Sequence, residues 1–219
     1  MASVIQVTSV NYPESDGRPM GETDEHRDEM VREIELLRRF FEDRDTYVSG
    51  NLLLYYEQGN PKKFVVPDVF VVKDVEPKKR RIYKLWIERK APDVVLEVTS
   101  RKTKKKDTVA KPALYARLGV KEYFLFDPTQ DYLDPPLQGH RLVGEDYEQI
   151  EPDARGAIVS DELGLRLQVE RGQLMFYRLD TGQRLLTAEE AWRAEAESRR
   201  AAEAEVARLR AELRRRDDS

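Results

Sequence analysis

The run Pro92-Asp93-Val94-Val95-Leu96-Glu97-Val98-Thr99-Ser100 constrains this chain more than any other segment. Rich in β-branched residues and opened by a proline, it reads as a buried strand. Alternation puts Val94, Leu96 and Val98 on one face and Asp93, Val95, Glu97 and Thr99 on the other. A carboxylate inside such an apolar run is costly to desolvate, so Glu97 is expected to do chemistry rather than fill space.

The neighbouring segments supply a sheet and its cover. Upstream, YVSGNLLLYY, KFVVPDVFVV and RIYKLWIE are short, β-branched and aromatic, and read as antiparallel strands. KEYFLFDP reads as a further buried strand, and the weaker alternation in HRLV, YEQI, LRLQV and LMFYRL, from about Gln138 to Asp180, as a small β extension. Between Thr23 and Arg44, Met30, Ile34, Leu37 and Phe41 recur at helical spacing, with Thr23 or Asp24 as N-cap and His26 on the buried stripe. A second helix is expected over VAKPALYARLG, with Val109, Leu114, Tyr115 and Leu118 supporting it and Gly119 ending it. This pattern argues for an α/β or α+β sandwich.

From Thr187 the composition turns to Ala, Glu and Arg with no Gly or Pro, the signature of a long solvent-facing helix. The chain thus divides into residues 1–186, with 1–21 as a flexible leader, and a charged helix over 187–219. Placing Trp192, Arg199, Val206 and Leu213 at a positions and Ala188, Glu195, Ala202 and Leu209 at d gives a seam that is good only toward the C-terminus. A solvated single helix and a coiled-coil arm joining copies of the chain both fit, and Trp192 is expected to anchor the helix.

Several function classes are excluded by what is scarce. The chain has no cysteine and two histidines, His26 and His140, so thiolate metal sites, cysteine nucleophiles and a multi-histidine zinc centre are impossible. With 38 Lys plus Arg against 42 Asp plus Glu, any basic surface must be local. The opening residues do not read as a secretory signal and no stretch is long and apolar enough to span a membrane, so a soluble, cytoplasmic protein is expected.

The chemistry that remains is that of oxygen ligands. Asp68, after Pro67 in one strand, and Glu97, near the end of another, can share a divalent cation that keeps several waters, such as Mg²⁺ with Mn²⁺ as substitute. Basic residues flank the Glu97 strand: Lys78, Lys79, Arg80, Arg81 and Lys84 before it, and Arg101, Lys102, Lys104, Lys105 and Lys106 after it. An acidic pair between basic runs suits a polyanion cut at a metal, and the second run is the candidate nucleic-acid contact.

At these residues the chain resembles the Uma-two family of endonucleases, within the PD-(D/E)XK restriction-endonuclease-like superfamily. The resemblance rests on VVPDVFVV, on APDVVLEVTS with the Lys-rich stretch after it, on DTVAKPALYARLGVKEYFLFDP, and on the Ala/Glu/Arg tail. It implies a restriction-endonuclease-like mixed β-sheet flanked by helices and a Mg²⁺-dependent endonuclease acting on DNA, with Asp68 and Glu97 as metal ligands. The superfamily pattern expects a lysine where Thr99 stands; Lys111 matches the family's lysine position and would position the attacking water. The superfamily's N-terminal helix often lends an acidic residue, for which Glu22, Glu29 and Glu33 are candidates, with His26 nearby in sequence. The alternative is a catalytically inactive module of nuclease fold, binding nucleic acid or assembling through its coiled coil.

Overall fold

The computed structural model describes residues 10–17, 23–100, 103 and 105–217. Two units make up the chain, residues 1–185 and 186–219.

The first unit begins with α1 (Asp24–Phe40), capped by the Thr23 hydroxyl, which accepts from the His26 N–H. Asp24 and Glu25 in its first turn and Arg38 and Arg39 in its last complement the helix dipole. There follow β1 (Thr46–Ser49), β2 (Leu54–Tyr55), β3 (Phe64–Val65), β4 (Val69–Lys73), β5 (Tyr83–Lys84), the one-turn helix α2 (Leu85–Glu88) and β6 (Val94–Val98). A π-helical turn (Lys106–Ala110) runs into α3 (Lys111–Leu118), which ends on Gly119 in the left-handed conformation at φ 80°. Then come β7 (Glu122–Phe126), β8 (Leu137–Val143), β9 (Asp146–Gln149), β10 (Ile158–Ser160), β11 (Leu165–Glu170) and β12 (Gln173–Arg178).

The main sheet has six strands in the order β1-β4-β6-β7-β8-β9, antiparallel except for the parallel pair β6–β7 joined by α3. It is therefore a mixed α+β sheet, as expected. The apolar clusters fall on its two faces as the alternation of β6 requires. Val94, Leu96 and Val98 pack with Met30, Leu36 and Leu37 of α1 and with Leu165, Leu167 and Phe176 of the three-stranded sheet β10-β11-β12. Val95 packs with Tyr115 of α3, Tyr123, Leu125 and Phe70 on the other face.

Three expectations are corrected. RIYKLWIE is not an antiparallel strand: only Tyr83–Lys84 is extended, it pairs parallel with β2, and Leu85–Glu88 closes a helical turn ending on Arg89 at φ 57°. The β extension is only in part separate, because β8 and β9 continue the main sheet through the β7–β8 ladder. Val109 does not support the helix, being 67% exposed, since the π turn precedes α3 and rotates it outward. Of the segment expected as a leader, Tyr12 and Pro13 lie against β2: Tyr12 packs edge-on to Tyr55, whose hydroxyl donates to the Pro13 carbonyl at 2.7 Å.

The second unit is α4 (Ala188–Asp217), opened by a capping box in which the Glu190 N–H donates to the Thr187 hydroxyl at 3.2 Å and the Thr187 N–H to the Glu190 carboxylate at 2.9 Å. Ion pairs Arg193–Glu189 and Arg208–Glu205 run along it. Trp192, expected as an anchor, is 68% exposed, and Val206, Leu209 and Leu213 are exposed as well. Among the described residues no helix is long and apolar enough to cross a membrane.

Candidate active site

The antiparallel register of β4 and β6 pairs Val69 with Leu96, so Asp68 and Glu97 stand opposite one another at the next step. Each strand end holds the other's carboxylate: the Asp68 N–H donates to Glu97 Oε2 at 3.2 Å, and the Val98 N–H donates to Asp68 Oδ2 at 2.9 Å. The Pro67–Asp68 peptide is itself braced by the turn after β1, where the Asn51 N–H donates to the Pro67 carbonyl at 2.8 Å. Only glycine fits before Asn51: a Cβ on Gly50 would sit 1.9 Å from the Asp68 carbonyl oxygen and 2.7 Å from Ile34 Cδ1.

The segment after β6 lays a stripe of three residues, spaced four apart, against Glu97. Lys111 Nζ lies 2.8 Å from Glu97 Oε2 and 2.9 Å from Asp107 Oδ1. One turn on, the Tyr115 hydroxyl donates to Glu97 Oε1 at 2.8 Å. Tyr115 packs against Tyr123 of β7, whose hydroxyl donates to the Asp107 carbonyl at 2.8 Å, so the π turn, α3, β6 and β7 close on one another around the carboxylate. Glu97, Asp107 and Tyr115 are wholly buried, whereas the Asp68 and Lys111 side chains keep 13% and 16% exposure and form the open side.

His26, at the start of α1, brings Nε2 to 3.3 Å from Asp68 Oδ2. Burial would raise the Asp68 carboxyl, but the His26 imidazole and the Lys111 charge outweigh it and hold the group below its ordinary range. Burial likewise opposes the Lys111 charge, and the Glu97, Asp68 and Asp107 carboxylates overcome it, so this ammonium is raised and stays protonated. Glu33 is fully buried on α1 with neither oxygen hydrogen-bonded among the described residues. Desolvation, with Glu29 and then Asp68 adding and Arg32 opposing, pushes its carboxyl well up. Thr99 has a buried hydroxyl without a hydrogen-bond partner among the described residues, while its N–H donates to the Phe126 carbonyl.

The structure thus brings together Asp68, Glu97, Lys111 and His26. Asp93 lies at the far end of β6, where its carboxylate accepts from the Lys73 N–H at 2.8 Å and pairs with Lys121 at 2.9 Å. Of the proposed nucleic-acid contacts, Arg101, Lys102 and Lys104 fall outside the described residues, as does the Lys106 side chain, and Lys105 is exposed. Glu22 also falls outside them. From sequence, Tyr115 reads as core and Asp107 as a bare helical ion-pair partner; their i, i+4 spacing to Lys111 is the signal that points to the site.

Among the described residues no three His, Asp or Glu side chains are grouped to hold a metal ion. The paired carboxylates of Asp68 and Glu97 nevertheless fit Mg²⁺, which binds through one or two carboxylates and completes its shell with water and substrate oxygens.

Residues 9–197 match the family described as "Uma2: Putative restriction endonuclease". Among solved structures, a crystal structure titled as that of a "putative nuclease belonging to DUF820" from Anabaena variabilis ATCC 29413 is similar, at 17% identity and TM-score 0.47, covering 66% of this chain and 76% of that one. No curated protein matches. The family match runs through every strand and helix that builds the site, and the chain belongs to the Uma2 family.

Proposed function

We propose that the protein is a Mg²⁺-dependent endonuclease hydrolysing phosphodiester bonds of DNA at Asp68, Glu97 and Lys111. The observation that carries this reading is the convergence of two carboxylates from adjacent strand ends with one ammonium, Lys111 Nζ lying 2.8 Å from Glu97 Oε2. Asp68 and Glu97 would hold the cation, which when bound polarises the phosphodiester and lowers the pKa of water. Lys111, held charged by its carboxylate neighbours, orients the nucleophile and offsets charge on the phosphate rather than taking up a proton. His26 keeps Asp68 turned to the strand end. Lys111 reaches Glu97 from α3 and so supplies the ammonium that Thr99 does not, which favours catalysis over an inactive module.

The test is nicking of supercoiled plasmid with Mg²⁺ or Mn²⁺ by the wild type, Asp68→Asn, Glu97→Gln and Lys111→Ala. Metal-dependent nicking lost in both carboxylate variants is the expected result. Equal activity in all four would mark a contaminant, and none in the wild type would turn the assignment toward the binding module. DNA affinity should fall steeply with salt, as phosphate contacts require.

A further inference from the structure

Asp107 is a buried carboxylate of the site that the proposed chemistry does not use. It is wholly buried on the π turn, and neither oxygen has a hydrogen-bond partner among the described residues. Its ion pair is with Lys111 Nζ, at 2.9 Å, and the same nitrogen lies 2.8 Å from Glu97 Oε2. The ammonium therefore sits between two carboxylates, one a proposed cation ligand and the other not. Lys111 is its one ionic partner among the described residues, and a buried carboxylate is expensive to desolvate. A helical ion pair serving stability alone would stand on the solvent face, where charges cost little.

We propose that Asp107 is a positioning residue for Lys111, holding the ammonium back from Glu97 and so setting how strongly the site takes a divalent cation. This rests on the reading of Asp68 and Glu97 as cation ligands. The ammonium and a cation compete for Glu97 Oε2, since each is positive and both want that oxygen. Asp107 gives Lys111 a second place to bind. It weakens the competition and keeps the ammonium within the site instead of releasing it through its open side. Without the Asp107 charge, Lys111 pairs with Glu97 alone and opposes the cation more strongly.

The experiment uses the full-length protein and reads the Mg²⁺ or Mn²⁺ concentration giving half of the cation-dependent rise in melting temperature, with nicking measured in parallel. Asp107→Asn, which keeps the shape and removes the charge, should raise that concentration about tenfold, and Lys111→Met should lower it about tenfold while nicking is lost, each about the worth of one charge-assisted hydrogen bond. Because Asp107 acts through Lys111, the double variant should match Lys111→Met alone, and Asp107→Glu should recover part of the loss. Equal effects of Asp107→Asn with and without Lys111 would make Asp107 merely structural and overturn the proposal. Should Asp107→Asn fail to fold, unchanged or weakened cation binding in Lys111→Met overturns it as well. No cation-dependent rise in the wild type would instead remove the cation site and this proposal with it, whereas a rise lost in Glu97→Gln beside a null Asp107 result refutes this proposal alone.

Discussion

Replacing Gly50 by alanine should damage the site more than it damages the fold. The added Cβ would fall 1.9 Å from the Asp68 carbonyl oxygen, more than an ångström inside the 3.0 Å that real Cβ atoms respect, and 3.0 Å from the Asp68 carbonyl carbon. Ile34 Cδ1, at 2.7 Å, can turn away, but a backbone carbonyl cannot, so the Pro67–Asp68 peptide must move. Overpacking of this kind costs about 1–3 kcal/mol, and the lower entropy of the unfolded alanine chain returns about 0.4–1 kcal/mol of it. A clash with backbone belongs in the upper half of that cost, so the net loss of about 1–2.5 kcal/mol corresponds to a fall of about 2–10 °C in melting temperature for a unit of this size. Displacement of Asp68 by about 1 Å should cost nicking about 100-fold. The control is Gly144→Ala, where φ is +65° but nothing lies within 4 Å. It should lose about 1–2 kcal/mol through left-handed strain and keep full activity. Calorimetry and plasmid nicking on all three proteins decide the matter: a Gly50→Ala protein melting within a degree of wild type and cutting at the wild-type rate would refute the reasoning.

Other outcomes follow from the same geometry. Tyr115→Phe leaves Glu97 Oε1 buried without its donor and should cost about 1–3 kcal/mol in urea unfolding, with unchanged m. Glu33→Gln should stabilise the metal-free protein increasingly as pH rises from 5 to 9. The raised carboxyl of Glu33 favours the folded state while protonated, and that contribution is lost as pH climbs through the folded value; a gap constant with pH would contradict this. Truncation after Leu186 should leave residues 1–186 folded, and, if α4 joins copies of the chain through its exposed Val206, Leu209 and Leu213, light scattering should show fewer copies per particle. An unchanged number of copies would end the coiled-coil proposal.

What sequence could reveal depended on whether a signal was local. The faces of β6 followed from strict alternation, α1 and its Thr23 cap from helical spacing, and α4 from composition alone. RIYKLWIE misled because aromatic and β-branched residues favour strands only where a neighbour can pair, and β2 offers Tyr83 and Lys84 just two positions. HRLV and YEQI were visible as strands, but alternation within a strand does not say which neighbour it pairs with, and β8 folds back on β7, the strand before it, to continue the main sheet. Asp68 and Glu97 stood out as carboxylates in apolar runs. Tyr115 did not, because a buried tyrosine on an amphipathic helix has the same pattern whether or not its hydroxyl is used, and only the packing of α3 on β6 distinguishes the two cases. Gly50 gave no signal at all, since its φ is ordinary and the constraint comes from Asp68.

The stripe Asp107, Lys111 and Tyr115 belongs to one short stretch of helix, whereas Asp68 depends on β1, β4 and α1 together. The two halves of the site should therefore tolerate length changes very differently as the family diverges. Losing one residue between Asp107 and Lys111 would turn Asp107 by about 100° relative to the residues beyond it and detach it from the others in a single step. Insertions and deletions between Arg101 and Lys106, ahead of the stripe, leave its internal phase intact. Relatives are thus expected to vary in length there, while the nine positions from Asp107 to Tyr115 stay fixed in length.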